Sequence, residues 1–199
     1  MAVTIEEIKR LRELTGVGMT DAKQALEAAD GDFDAALKEM RQKGLTKAEK
    51  RGEREARAGI VGTYNHDSRI GVVVEVNSET DFVARNEIFT DLVKDLAMHI
   101  AASSPVYVSA EDIPAAERDA KKQELLASDA LKGKPADMAD KIVEGQLGKY
   151  FAERCLMDQP YIKNPDQTVG DYVKEHIAKL GENIVVRRFS RIALGEVAS

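Results

Sequence analysis

The residues best placed to do chemistry stand together in Glu79-Thr80-Asp81-Phe82-Val83-Ala84-Arg85-Asn86. Two chemistries are open to them. Glu79 and Asp81 could be posed as an acid/base pair, or Asp81 and Phe82 could be offered to a partner as a charge beside a ring. The remaining titratable groups give little. The 3 histidines, His66, His99 and His176, are scattered, and Cys155 is the 1 cysteine. That pattern makes no disulfide within the chain and no zinc-type site. There is no phosphate loop, no dinucleotide fingerprint after a strand, no nucleophile elbow and no His-Glu-x-x-His. Catalysis is the weaker class, because carboxylates near a turn are usually surface charges.

The elements around that stretch say how it would be held. Ile70-Gly71-Val72-Val73-Val74-Glu75-Val76-Asn77 is mostly β-branched and apolar, and predicts a strand. Ile88, Phe89, Leu92, Val93, Leu96 and Ile100 recur at helical spacing. The acid and the ring therefore sit where a strand hands over to a helix. Asn86, Asn77 or Ser78 can supply cap and turn chemistry there. Two readings of the corner stay open: Phe82 tucks under the helix as core with Asp81 as its cap, or both face outward to a partner.

Composition sets the outer bounds. A chain of 199 residues with 43% hydrophobic and 32% charged content can bury one or two cores. A net charge of −6 disfavours a general phosphate grip, so no direct nucleic-acid partner is expected. No apolar run is long enough to cross a membrane, and the N-terminus lacks an apolar signal segment. A cytoplasmic protein with no cofactor and no membrane partner is expected.

Taken in order, Thr4-Ile5-Glu6-Glu7 has the capping-box form, and Ile5, Ile8 and Leu11 then share one face. Gly16-Val17-Gly18 breaks that helix. Thr20 can cap a second one, with Ala22, Ala25 and Leu26 inward, and Gly31 stops it. Asp32 caps a third, with Phe33, Ala36, Leu37 and Met40 inward, ending at Gly44. Residues 1–45 thus predict a three-helix module similar to the ubiquitin-associated domain. A module of that kind alone would make the chain an adaptor, which leaves everything after it unused. Residues 46–58 carry both signs of charge and predict an exposed linker helix.

Residues 59–199 predict an α+β core. Gly59 to Tyr64 and Arg69 to Val76 are strands around the turn Asn65-His66-Asp67-Ser68, and Asn183 to Leu194 is a closing strand with Ile184, Val186 and Phe189 among its apolar positions. The result is a small antiparallel sheet with packed helices. After the helix Glu87 to Ala102, Pro114 opens a helix to about Leu131, Lys132-Gly133-Lys134-Pro135 turns the chain, and a second helix runs from Ala136 to about Leu156. Residues 114–156 therefore predict a projecting antiparallel helical hairpin, with Leu125, Ile142, Val143, Leu147 and Phe151 for its seam. Thr168-Val169-Gly170-Asp171 again has a capping form, and Gly181 ends the helix that follows. Arg187 and Arg188 read as surface charges and Cys155 as core.

Glu75-Val76-Asn77-Ser78-Glu79-Thr80-Asp81-Phe82-Val83-Ala84-Arg85 resembles the core signature of the bacterial elongation factor Ts family, and Leu11 to Leu26 resembles that family's second signature. The resemblance covers nearly the whole chain. It implies a guanine-nucleotide exchange factor whose partner is elongation factor Tu with GDP bound. It implies that Phe82 wedges between helices of that partner and that Asp81 perturbs its Mg²⁺, with Thr80 and Val83 seating the turn. It also implies partner contacts at Arg12, Met19 and Thr20, although family members often carry Met where Thr20 stands. Tyr64 to Gly71 resembles a family segment whose histidine touches the partner's third domain. His66 is a binding candidate on that ground; on its own residues it is a solvated turn histidine with no nucleophile beside it. The hairpin matches the family's antiparallel coiled-coil arm. Longer members carry two copies of the core subdomain, and this chain has strands for one. A homodimer joined through the exposed sheet face, engaging two partner molecules, is therefore expected.

Overall fold

The computed structural model describes residues 3–15, 17–40, 51–128 and 136–196. They fall into two units, 1–101 with 171–199, and 102–170. The fold is α+β, with helices first and then a small antiparallel sheet with its own helices. Among the described residues no helix is long and apolar enough to cross a membrane.

The first unit opens with the predicted capping box. The Thr4 amide donates to Glu7 Oε2 at 2.9 Å and the Glu7 amide to Thr4 Oγ1 at 3.2 Å. The Thr4 amide, and the Thr4 hydroxyl donating to the same Oε2 at 2.7 Å, hold the Glu7 carboxyl below its ordinary range, and the box starts α1 (Ile5–Thr15). The second helix, α2 (Met19–Ala28), corrects one expectation: Gly18 is its N-cap, and Thr20 lies inside the first turn. Gly31 ends it with φ +82°, its amide reaching back to Leu26 O at 2.9 Å. Asp32 Oδ1 accepts from the amides of Asp34 and Ala35, both at 3.0 Å, and opens α3 (33–40). Ile8, Leu11, Ala22, Ala25, Leu26, Ala36 and Met40 form the bundle core, with Phe33 and Leu37 packed at its margin. The predicted end at Gly44 lies outside the described residues. Of the charged linker, residue 51 is helical and 52–57 are not. The predicted linker helix over residues 46–50 lies outside the described residues; past residue 51 it gives way, where Asn183 Nδ2 donates to the carbonyls of Gly52, at 3.2 Å, and Arg54, at 2.6 Å.

Strands β1 (Ala58–His66), β2 (Ile70–Ser78) and β5 (Ile184–Ala193) form an antiparallel sheet in the order β1-β2-β5. The hairpin is tighter than predicted: β1 extends two residues further, to His66, and β2 begins one residue later, at Ile70, leaving Asp67-Ser68-Arg69 as the loop, with φ of 49° at Asp67 and 56° at Ser68. A bulge opposite Glu75 and Val76 leaves Arg187 unpaired in the ladder. Its guanidinium is engaged all the same, with Asn77 Oδ1 at 3.0 Å and Ala56 O at 3.3 Å. The inner face buries Val72, Val74 and Val76. There α5 (Glu87–Ser103) lies so close to β1 that a Cβ on Gly62 would stand 2.3 Å from Val93 Cγ1. Beside α5 runs α8 (Val169–Leu180), whose Tyr172 hydroxyl donates to Asp95 Oδ2 at 2.8 Å. His176 is buried on α8, its Nδ1 2.8 Å from Tyr172 O, and burial holds its imidazole below the ordinary 6.5. Gly181, with φ +80°, ends α8 as predicted.

The second unit holds the two helices of the predicted hairpin, α6 (Ala115–Leu126) and α7 (Ala136–Ala152), with Pro114 at the N-cap. Both end earlier than predicted. Ala127 caps α6 with helical backbone, and the predicted Lys132 to Pro135 turn lies outside the described residues. Past α7 the chain turns so that the Leu156 amide can pair with Tyr107 O at 2.9 Å, which a continued helix would forbid. Ile113, Phe151 and Cys155 form a small core with Tyr107, Leu147 and Tyr150 at its edge. Burial pushes the Cys155 thiol up to about 11, the state of an inert core residue. The paired strands β3 (Pro160–Tyr161) and β4 (Asn164–Thr168) were not expected. A two-residue strand beginning with proline carries no alternation to read.

Candidate functional site

At the end of β2 the chain turns through a single helical turn, α4 (Asp81–Ala84). Thr80 is extended, with φ −130° and ψ 155°, and its Oγ1 accepts from the Val83 amide at 3.4 Å. That cap fixes the rotation of the turn. Helical residues step about 100° apart, so a residue and the one two positions on point to opposite sides. Val83 and Ala84 go inward and are buried, while Asp81, Phe82 and Arg85 go outward. Asn86 opens α5, its Oδ1 accepting from the Ile88 amide at 2.9 Å. Asp81, Phe82, Arg85 and Asn86 together line one hollow.

Phe82 decides between the two readings of the corner. The ring is 83% exposed, more than any other large hydrophobic side chain among the described residues. It is not core, and Asp81 is not the cap of the helix that follows, since Asn86 takes that place. Glu79 does not stand ready as an acid/base partner either. Its Oε1 accepts from the Asn183 amide at 2.6 Å and lies 3.7 Å from Arg54 Nη1. Those contacts make it an anchor.

The same corner is held from a distant loop that sequence reasoning passed over. Glu182 Oε2 accepts from the Thr80 amide at 3.0 Å, and its Oε1 accepts from Thr80 Oγ1 at 2.6 Å. Glu182 follows the predicted helix stop at Gly181. Nothing local shows that it faces a residue 102 positions earlier.

The other candidates occupy different places. Arg12 lies late in α1, and Met19 and Thr20 open α2; all three are exposed, with Met19 at 40%. His66 closes β1, exposed and stacked on Tyr64 with centroids 6.1 Å apart. Its Nδ1 is 3.2 Å from the Tyr64 hydroxyl and its Nε2 3.9 Å from Asp67 Oδ2. The 9-residue β2 separates the His66 loop from the corner, roughly 25 Å at strand rise. Thr80, Asp81, Phe82 and Val83 thus form one turn, whereas His66 lies at the far end of the sheet. Among the described residues no group of His, Cys, Asp and Glu could hold a metal ion.

Comparison with known proteins gives one family. The family model for elongation factor TS matches residues 45–178. Elongation factor Ts of Thermodesulfovibrio yellowstonii is 51% identical over 196 residues, covering 98% of this chain and 98% of that protein. Elongation factor Ts of Carboxydothermus hydrogenoformans is 52% identical over 196 residues, covering 98% of this chain and 90% of that protein. The Geobacter sulfurreducens protein of the same name is 48% identical over 197 residues, with 98% and 91% covered.

Proposed function

The chain belongs to the elongation factor Ts family, and on that premise we propose that it serves translation elongation in the cytoplasm by releasing GDP from elongation factor Tu. The observation that carries this reading is the exposure of Phe82 on a turn whose other side is buried and hydrogen-bonded into the fold. A large ring held in water by a rigid base is a binding element waiting for a pocket. Burying it fully in a partner is worth about 1.5–3 kcal/mol.

The mechanism follows from the partner's ion. Mg²⁺ demands near-ideal octahedral geometry, so a small displacement of its ligands or bridging waters weakens it sharply. Phe82 enters between helices of the nucleotide domain, and Asp81 disturbs the surroundings of the ion. Thr80 caps and Val83 seats the turn that carries both. Loosened Mg²⁺ lets GDP leave. The coupling is reciprocal: if this protein weakens nucleotide binding, incoming nucleotide weakens its binding equally and expels it. Arg12, Met19 and Thr20 of the N-terminal bundle and His66 at the far end of the sheet anchor the body while the turn acts.

The protein works as a homodimer through the outer sheet face. Val61, Val73 and Ile192 are exposed there, and Val61 and Val73 line a hollow together with Glu75, Arg188 and Ser190. Light scattering on the wild type should give a dimer and on Ile192→Glu a monomer; a wild-type monomer with and without the partner would refute the dimer.

The exchange reading is tested by the release of fluorescent GDP from purified bacterial elongation factor Tu. The wild type should accelerate release and Phe82→Ala should not, while both melt at the same temperature. Equal acceleration by the two would remove the ring from the mechanism.

A further inference from the structure

We infer that Glu182 is a positioning residue for the Thr80–Phe82 turn, holding it from the loop between α8 and β5 in the geometry that exchange requires. The inference rests on the exchange reading above and names a residue that no part of that reading uses.

The geometry is a reciprocal clamp. Two carboxylates cross between two loops. Glu182 reaches from the α8–β5 loop to the Thr80 amide and hydroxyl. Glu79 reaches back from the corner to the Asn183 amide. Each acceptor is a carboxylate, and hydrogen bonds to a carboxylate belong to the stronger class. The α8–β5 loop is itself tied further on, because Asn183 Nδ2 donates to the carbonyls of Gly52 and Arg54.

A capping bond alone would leave the corner poorly defined. The Thr80 Oγ1 to Val83 amide bond is long, at 3.4 Å, and α4 has 4 residues, too few to be stable by itself. Thr80 Oγ1 has one proton, and at 2.6 Å Glu182 takes it. That fixes the hydroxyl so that its lone pairs face Val83, and the cap and the clamp support each other. Glu182 does not touch a partner in this account. It acts through Thr80 on the direction in which Phe82 leaves the surface.

The test uses the full chain with purified elongation factor Tu and fluorescent GDP. Glu182→Ala should lower the maximal release rate roughly tenfold, the weight of one or two such hydrogen bonds. It should move the half-saturating concentration by less than about threefold, because the docking residues are untouched. Glu182→Gln should recover most of the loss, since its carbonyl can accept from the Thr80 amide while its amide donates to Thr80 Oγ1. In the Phe82→Ala background, Glu182→Ala should add nothing further. A wild-type maximal rate for Glu182→Ala, or a loss that adds in full to that of Phe82→Ala, overturns the inference.

Amide hydrogen exchange on the isolated protein separates this from failure of the exchange reading. Glu182→Ala should speed exchange at the Thr80 and Val83 amides roughly tenfold and leave the α5 amides unchanged. If the wild type does not release GDP but those amides respond, the clamp stands and the exchange reading fails. If release is normal in the wild type and those amides do not respond, the clamp fails.

Discussion

Phe82 and Phe89 stand on consecutive helices, one 83% exposed and the other 0%. Composition does not separate them, since both are rings beside valine or isoleucine on a helix. What separates them is the means of support. Phe89 is held by its own burial, on a face of α5 shared with Leu92, Val93 and Leu96. Phe82 is held by nothing it touches. Its position is set by buried Val83 and Ala84 beneath it, by the Thr80 cap, and by Glu182. One ring contributes stability. The other is presented by polar bonds that fix its direction.

The sharpest way to break that contrast is to truncate both rings. Phe89→Ala leaves a cavity in the sheet–helix core and should cost about 3–5 kcal/mol of unfolding free energy, read from denaturant unfolding. Phe82→Ala should leave stability within about 0.5 kcal/mol and slow nucleotide release from elongation factor Tu at least tenfold, roughly the worth of one buried ring. A comparable loss of stability from Phe82→Ala would return that ring to the core.

A second test asks how closely the core side is packed. Gly62→Ala places a Cβ 2.3 Å from Val93 Cγ1 and 3.6 Å from Val74 Cγ1, so β1 and α5 must part or Val93 must turn. The cost should be about 1–3 kcal/mol, and an unchanged melting temperature would mean that α5 is seated more loosely than the contact shows.

Acidity offers a smaller lever on the same side. Burial holds His176 below the ordinary 6.5, with Lys179 pushing the same way and Asp95 opposing. Arg51 Nη1 also reaches this part of α8, at Ile177 O. The unfolded chain then binds the proton at a higher pH than the folded one. Stability is present above about pH 6.5 and is lost as pH falls from there toward the lowered value. His176→Gln should flatten that fall, read from melts at each pH. A mutant melting curve that still falls as steeply would assign the acid sensitivity elsewhere.

The smallest effect belongs to His66, the other exposed ring system. Its hairpin loop is held by the Tyr64 contact, by Asn65 Oδ1 accepting from the Ser68 amide at 2.8 Å, and by the Leu194 amide donating to Arg69 O at 2.8 Å. His66→Ala should leave stability unchanged and raise the half-saturating concentration in release assays roughly fivefold, the scale of one modest interface residue. No change would take His66 out of the interface.

Much of this was legible in the chain. The Thr4–Glu7 box, the Asp32 cap, the α5 periodicity and the closing strand are local or periodic signals, and the structure has each of them. The corner was legible as a place but not as a geometry. Phe82 and Val83 are adjacent and both apolar, and a 100° helical step decides which is buried. That step is set by the cap on Thr80 and by Glu182, whose contact spans 102 positions. A long-range carboxylate leaves no pattern in sequence. The end of α7 was misread for a related reason. Tyr107 claims the Leu156 amide, and that pairing overrides a helical pattern that would otherwise continue.

The most direct test of the central claim is the rate of fluorescent GDP release from elongation factor Tu across a series of Mg²⁺ concentrations, with the wild type and with Phe82→Ala. The account predicts large acceleration by the wild type at millimolar Mg²⁺, shrinking toward none once the ion has been removed by chelation, and little acceleration by the variant throughout. Acceleration that is unchanged without Mg²⁺, or absent at every concentration, would contradict exchange by displacement of the ion.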